Sequence, residues 1–147
     1  MDPFQSCIGA SVSCAKTVSE SDIYLFAGIT GDFSPNHVDE AAMAGTEYGG
    51  RIAHGALLVG YMSRASTLIA ERCPLLMAEH YPVSLGYDRI RFLKGVRIGD
   101  TVTITYRIEN ATAATMRTTS SVHLHNQSGT LCAVATHIMR WLGRPAR

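Results

Sequence analysis

The sequence predicts an α+β fold in which a curved antiparallel sheet wraps around one long helix. Three observations favour it: an apolar run that begins at Gly55, period-two alternation through the C-terminal half, and turn-forming residues between the alternating segments. A helix that is apolar on every side belongs inside a protein. The alternating strands can supply the surface that encloses it.

The N-terminal half contains helix start and stop signals. Ser19 can cap a helix that continues to Gly31, a natural stop. Pro35 is expected to exclude helix from the next few residues, so that residues 32–37 form a tight loop. A short helix is expected over residues 39–44.

The remaining elements complete the predicted architecture. Strands are expected at residues 8–17, 85–93, 101–108, 116–126 and 131–141, and turns at 99–100, 110–112 and 126–129. Four consecutive antiparallel strands around a buried helix make up the hotdog fold. We expect a single hotdog domain over residues 1–147.

Composition excludes several functional classes. The net charge is +1, with neither a basic footprint for nucleic acid nor a polybasic membrane patch. Only 17% of residues are charged, below the roughly 25% usual in globular proteins. A chain so poor in charge is expected to cover part of its surface with a second copy, as a homodimer.

The cysteines and the N-terminus indicate the cellular compartment. Cys7, Cys14, Cys73 and Cys132 form no Cys-x-x-Cys pair and are expected to pack as small hydrophobic residues. No signal peptide or membrane-spanning run is evident. We therefore expect a cytoplasmic protein with reduced thiols.

Asp32 and His37 are the candidate acid–base pair. Both lie in the predicted loop, and a carboxylate and an imidazole that hold one water between them can add that water to a conjugated double bond. Spacing alone leaves an alternative open. Asp32 can instead cap a turn, and His37 can pack against a helix end.

Gly55 is the candidate oxyanion-binding residue. The first N–H groups of a helix are unpaired and carry partial positive charge, and a glycine lets a carbonyl approach them closely. Gly55 can equally be a glycine required for close packing. His54, just before it, is expected to orient the loop or to cap the helix.

The segments Gly31-Asp32-Phe33-Ser34-Pro35-Asn36-His37-Val38-Asp39 and Arg51-Ile52-Ala53-His54-Gly55 carry a family resemblance. Together with Phe92-Leu93-Lys94-Gly95-Val96-Arg97-Ile98-Gly99-Asp100, they resemble the MaoC-like, (R)-specific enoyl-CoA hydratase family. The similarity extends over roughly residues 17–140.

The resemblance implies a dimeric hotdog hydro-lyase that needs no metal or organic cofactor. Asp32 and His37 would activate water, and the Gly55 N–H would polarise the thioester. Ser63 lies where the family often has a serine near the active-site aspartate. The substrate would be a trans-2-enoyl thioester of coenzyme A or acyl carrier protein, hydrated reversibly to an (R)-3-hydroxyacyl thioester.

Three departures from the family pattern bear on the pocket. Ser34 stands where asparagine is usual, Asn36 where an aliphatic residue is usual, and Gly95 where proline is common. Residues 73–84 are longer than in the smallest relatives and could cover an acyl pocket. Acyl-chain length therefore cannot be inherited from the family.

Weaker signals complete the candidate residues. Lys94 and Arg97, near a loop, could contact the coenzyme A phosphates. His123 and His125 share a strand face with metal-compatible spacing, although no third ligand lies nearby in sequence, and we expect no metal.

Two rival functions remain open at this stage. One is a hotdog thioesterase, which would hydrolyse rather than hydrate the thioester. The other is a non-catalytic acyl-thioester-binding subunit.

Overall fold

The computed structural model describes residues 2–145. The helices are α1 Pro3–Ser6, α2 Glu20–Thr30, α3 Pro35–Val38, α4 Glu40–Ala44, α5 Gly55–Glu71 and α6 Pro74–Glu79. The strands are β1 Ser11–Thr17, β2 His80–Phe92, β3 Thr101–Thr112, β4 Arg117–His125 and β5 Leu131–Gly143. Within the described residues, no helix combines the length and apolar character needed to cross a bilayer.

The five strands form one antiparallel sheet in the order β1-β3-β4-β5-β2. Helix α5 packs against β1 and β3. The longest pairing joins β2 to β5, from His80 opposite Gly143 to Phe92 opposite Ala133. The predicted α+β hotdog architecture is confirmed.

Helix α2 begins and ends where the sequence predicts. The Ser19 hydroxyl accepts a hydrogen bond from the Asp22 N–H, and the Asp22 carboxylate accepts one from the Ser19 N–H. This reciprocal capping box satisfies two N–H groups that the helix leaves free. Gly31 ends the helix with φ +80, a left-handed conformation that favours glycine. Asp32 therefore follows a fixed helix end.

Helix α5 is buried on one face rather than all round, which corrects the prediction. Leu58, Met62, Ala65 and Ile69 form a buried stripe at spacings of four and three residues, the period of one helix face. Ser63, on another side of the helix, is exposed. The apolar residues of α5 exceed what one sheet can cover.

Two local predictions were wrong. Residues 35–38 form the short helix α3, because proline is tolerated at the first position of a helix, where its N–H would be unpaired anyway. Residues 110–112 belong to β3, which continues to Thr112 after a register shift between Ile108 and Asn110. The turn that follows is the 3₁₀ segment Ala113–Thr115.

A polar network lies inside the core between β2, β3 and β5. His137 is completely buried, and its two ring nitrogens lie 2.6 Å from the Tyr106 hydroxyl and 2.8 Å from the Ser84 hydroxyl. The Tyr87 ring stacks on the imidazole at 4.2 Å. Burial penalises the charged imidazolium and lowers the pKa of His137 to about 4.

This network predicts a loss of stability in mild acid. The unfolded chain protonates His137 near its ordinary pKa of 6.5, whereas the folded chain does so only at about 4. As the pH falls from about 6.5 to about 4, the unfolded state therefore binds a proton that the folded state does not. The free energy of unfolding decreases by on the order of 3 kcal/mol over this window. Urea unfolding of wild type, His137→Gln and the control His125→Gln at several pH values measures this. Equal pH slopes for wild type and His137→Gln would contradict it.

Candidate active site

The Asp32 side chain is held by the loop that follows α2. Its Oδ1 accepts a hydrogen bond from the Ser34 N–H at 3.2 Å, and its own N–H donates to the Thr30 hydroxyl at 3.2 Å. Half of the Asp32 side-chain surface remains exposed. Oδ1 thus anchors the loop, whereas Oδ2 makes no hydrogen bond to the described residues.

The His37 ring is fixed by the backbone of Ile52. His37 Nδ1 lies 2.8 Å from the Ile52 carbonyl oxygen, which can only accept a hydrogen bond, so Nδ1 carries the proton. The Ile52 N–H in turn donates to the Asn36 carbonyl at 2.9 Å. In the neutral ring, Nε2 is therefore the free acceptor.

The free atoms of the pair face each other across a gap suited to one water. His37 Nε2 and Asp32 Oδ2 are 4.0 Å apart, too far for a direct hydrogen bond. If a water oxygen lay about 2.8 Å from both atoms, the angle between the two atoms at the water would be about 90°. This is near the roughly 105° between the two O–H bonds of a water molecule. Both protein atoms are acceptors, so the water can donate to each and direct its lone pairs elsewhere.

His54 contacts both the Asp32 backbone and the His37 ring. It is buried, its Nε2 lies 3.0 Å from the Asp32 carbonyl oxygen, and its ring stacks on His37 at 3.7 Å. Its side chain makes no capping hydrogen bond to α5. Of the two predicted roles, the geometry therefore favours orientation of the Asp32 loop.

Asp32, His37 and His54 also offer one potential metal-ligand atom each, all within 4.8 Å of one another. His37 and His54 each use one ring nitrogen on a backbone carbonyl, and their rings are stacked with an interplanar angle of 26°. The in-plane lone pairs of stacked rings do not converge on a point about 2.1 Å from both. The arrangement suits a water better than a metal ion.

Gly55 begins α5 and lines a cavity of about 550 Å³ together with His37. The 17-residue helix directs its unpaired N–H groups and its positive end towards this region. Asp32 stands at the exposed edge beside His37 rather than in the cavity wall. The structure thus brings Asp32, His37 and Gly55 to one region.

Gly55 also has a packing reason to be glycine. A Cβ at this position would lie 2.5–2.9 Å from three ring carbons of Phe92, which lines the same cavity and is half exposed. The structure therefore agrees with the alternative that the sequence left open, a glycine required for close packing. Close packing and an accessible N–H are compatible, because the ring lies over the Cα.

The other predicted residues divide between two cavities. Lys94 and Arg97 line the cavity that contains His37 and Gly55. Ser63, eight residues along α5 from Gly55, does not line it and instead lines a second cavity of about 440 Å³. Within one chain, the structure therefore does not bring Ser63 to the acid–base pair. His123 and His125 lie with ring centroids 6.4 Å apart and belong to no cluster of three ligands among residues 2–145.

Three contributors to the site were missed by sequence reasoning. Ile52 acts through its backbone, which no side-chain pattern reveals. Phe92 was interpreted only as a strand residue. Arg51 binds the carboxylates of Glu20 at 2.6 Å and Glu40 at 3.0 Å, and so ties α2 to α4 around the loop. Its position in the motif before Gly55 was the available signal.

Comparison with known proteins identifies the family. The family model described as a MaoC like domain matches residues 3–129. The chain belongs to the MaoC-like dehydratase family. It is 42% identical over 118 residues to an (R)-specific enoyl-CoA hydratase of Rhodospirillum rubrum, covering 78% of this chain and 76% of the relative.

A second relative is a 3-hydroxybutyryl-CoA dehydratase of Methylorubrum extorquens. It is 36% identical over 97 residues, covering 66% of this chain and 57% of the relative, so the chain spans less than two thirds of that protein. One relative is named a hydratase and the other a dehydratase, and both names denote hydro-lyases. The predicted family is confirmed, and the predicted enzyme class is that of both named relatives.

Solved structures agree with the hotdog fold. A monoamine oxidase regulatory protein from Archaeoglobus fulgidus superposes with a TM-score of 0.79 at 26% identity, covering 97% of this chain and 95% of the other. An R-hydratase from Pseudomonas aeruginosa, in its unliganded form, gives 0.75 at 25% identity and covers 95% and 87%.

The contact between Gly55 and Phe92 predicts a coupled effect on stability. Gly55→Ala should lower the free energy of unfolding by about 1 kcal/mol or more, because the new methyl group overpacks against the ring. In a Phe92→Ala background the same substitution should be nearly neutral. Chemical denaturation of the four proteins measures the coupling. An equal loss in both backgrounds would show that the ring is not what requires glycine.

Proposed function

We propose that this protein adds water reversibly to trans-2-enoyl-CoA thioesters and forms (R)-3-hydroxyacyl-CoA. The observation that carries the proposal is the 4.0 Å gap between His37 Nε2 and Asp32 Oδ2, beside the N-terminus of α5. The hydratase and dehydratase names of the relatives support the same reaction. The (R)-specific name of the first supports the (R) product.

In this proposal, the Gly55 N–H binds the thioester carbonyl. Negative charge grows on that oxygen as the enolate forms, and a helix N-terminus offers a fixed donor that needs no reorganisation. One such donor is worth about 3–4 kcal/mol in comparable sites. The Phe92 ring lies beside Gly55 in the wall of the same cavity.

The water held by Asp32 and His37 then adds to C3. Its oxygen forms the new C–O bond, one of its protons passes to the pair, and C2 receives one proton from the pair. The proton lost by water equals the proton gained by carbon, so the pair returns to its starting state. Asp32 acts as the base towards water, while His37 holds the water and shares in proton delivery.

The thioester carrier is coenzyme A in this proposal. Lys94 and Arg97 line the same cavity as Gly55 and supply positive charge for phosphates. The substrate itself supplies the activated double bond, so no further cofactor takes part. Apolar side chains exposed along β2, including Tyr81, Val83 and Leu85, support a homodimer. The four free thiols support a cytoplasmic location.

Crotonyl-CoA tests the reaction. Wild-type protein should remove the enoyl absorbance without releasing free thiol, and chiral chromatography of the product should show the (R) enantiomer. Release of free thiol would support a thioesterase instead. Binding of the thioester without any turnover would support a non-catalytic subunit.

Removal of the Asp32 charge should abolish most of the activity. Asp32→Asn keeps the size of the side chain but loses the proton acceptor, and kcat should fall by at least about 10²-fold. Asp39→Asn is the matched control, because Asp39 caps α4 and asparagine caps equally well. Similar turnover numbers for the two variants, measured with crotonyl-CoA, would remove Asp32 from the mechanism. His37→Ala should lower kcat to a comparable extent.

Loss of the Lys94 charge should weaken carrier binding selectively. Lys94→Ala should raise KM for crotonyl-CoA several-fold, while KM for the crotonyl thioester of N-acetylcysteamine, which has no phosphate, should stay unchanged. Arg91→Ala is the control, since this exposed arginine lies on β2 outside the cavity wall. Equal changes with both thioesters would contradict a phosphate contact.

A further inference from the structure

The wall of the candidate active site contains a side-chain amide, that of Asn36, which the described chain leaves unsatisfied. Asn36 lies on α3 directly before His37 and lines the same cavity as His37 and Gly55. Its Oδ1 is shielded from solvent and has no hydrogen-bond partner among residues 2–145. Buried polar side-chain atoms nearly always have a partner, so an orphaned one calls for a specific explanation.

The backbone of Asn36 is fixed, whereas its side-chain amide is free to turn. The Ile52 N–H donates to the Asn36 carbonyl at 2.9 Å, beside the bond that holds the His37 ring. The side-chain amide makes no hydrogen bond to the described residues, so nothing decides between its two orientations. A half turn of the amide exchanges Oδ1 and Nδ2. Because Asn36 is only half buried and lines the cavity, this turn can bring Oδ1 to the cavity surface.

The amide of Asn36 adds hydrogen-bonding capacity to the wall without adding charge. An aliphatic residue, usual here in the family that the motif resembles, would offer neither a donor nor an acceptor. Lys94 and Arg97 already supply positive charge for anionic groups in the same cavity. The partner that suits a neutral amide is a neutral ligand group with a hydrogen-bond donor or acceptor of its own.

The pantetheine arm of the proposed substrate contains such a group. Two methylene groups separate the thioester sulfur from the first amide N–H, so that nitrogen lies roughly 5 Å from the thioester carbon. A thioester bound at Gly55 therefore keeps this amide inside the same cavity, whose volume is about 550 Å³. An amide N–H that leaves water without finding an acceptor weakens binding, and a free side-chain oxygen in the wall removes that penalty.

We propose that Asn36 Oδ1 accepts a hydrogen bond from the first amide N–H of the pantetheine arm and makes the site selective for pantetheine-type thioesters. This role of Asn36 rests on the proposed function, because it takes the ligand to be a thioester of that type. Asn36 takes no part in proton transfer in this scheme. Its substitution should therefore change the affinity for the thioester and leave the chemical step unchanged.

Two thioesters that differ at one position test the contact. The butyryl thioester of N-acetylcysteamine carries the amide N–H, and the butyryl thioester of 2-acetoxyethanethiol has an ester oxygen in its place. Neither can be hydrated, so titration followed by NMR measures both dissociation constants. The ratio of the two constants should favour the amide about fivefold more in wild type than in Asn36→Leu, since one neutral hydrogen bond contributes about 1 kcal/mol.

Two further variants serve as controls for this ratio. Asn36→Asp keeps an acceptor at the same place and should keep the preference for the amide. Glu47→Gln changes the other carboxylate or amide side chain in the cavity wall and should also leave the ratio at its wild-type value. With crotonyl-N-acetylcysteamine, Asn36→Leu should raise KM and leave kcat unchanged. If Asn36→Leu does not fold, Asn36→Ala takes its place.

The outcomes separate this contact from the proposed reaction. An equal ratio in wild type and Asn36→Leu would overturn the proposal, because the orphaned oxygen would then bind only water. Loss of the preference in Glu47→Gln alone would overturn it as well, since the acceptor would be Glu47. If the ratio behaves as expected but crotonyl-CoA is not hydrated, the proposed function fails while the contact with Asn36 stands.

Discussion

The candidate active site depends on the backbone of one residue, Ile52. Its N–H holds the Asn36 carbonyl and its carbonyl holds His37 Nδ1, so the acid–imidazole loop is fixed to the segment that enters α5. This pair of hydrogen bonds sets the tautomer of His37 and aims Nε2 at Asp32. It also fixes the distance between the imidazole and the first N–H groups of the helix. The hydrogen bond from His54 Nε2 to the Asp32 carbonyl holds the same two segments together at a second point.

The hotdog fold explains why one helix can serve two cavities. The sheet covers only one stripe of α5, through Leu58, Met62 and Ile69, so both ends of the helix contribute residues to open space. At the N-terminus, unpaired N–H groups and basic residues favour a negatively charged ligand. At the C-terminal half, hydroxyl groups, two methionines and the Glu71 carboxylate line the second cavity, and His137 lies behind Ser84. Burial lowers the pKa of His137 and so holds its imidazole uncharged.

The elements governed by local chemistry were predictable from sequence. The capping box at Ser19 and the glycine stop at Gly31 depend on neighbouring residues alone, and the structure agrees with both. Predictions that depended on how one element pairs or packs with another were less successful. Residues 110–112 carry turn-forming side chains, but pairing with β4 keeps them in the strand. Ser63 has suitable spacing on the helix, yet it lines the other cavity, which spacing along one helix cannot reveal.

The gap between Asp32 and His37 is the central claim, and a crystal structure with bound butyryl-CoA tests it most directly. This saturated thioester cannot be hydrated, so it should leave the water in place. We expect an ordered water within hydrogen-bond distance of both Asp32 Oδ2 and His37 Nε2, with the thioester oxygen on the Gly55 N–H. A thioester bound elsewhere, or an Asp32 carboxylate turned away from His37 in the complex, would contradict the account.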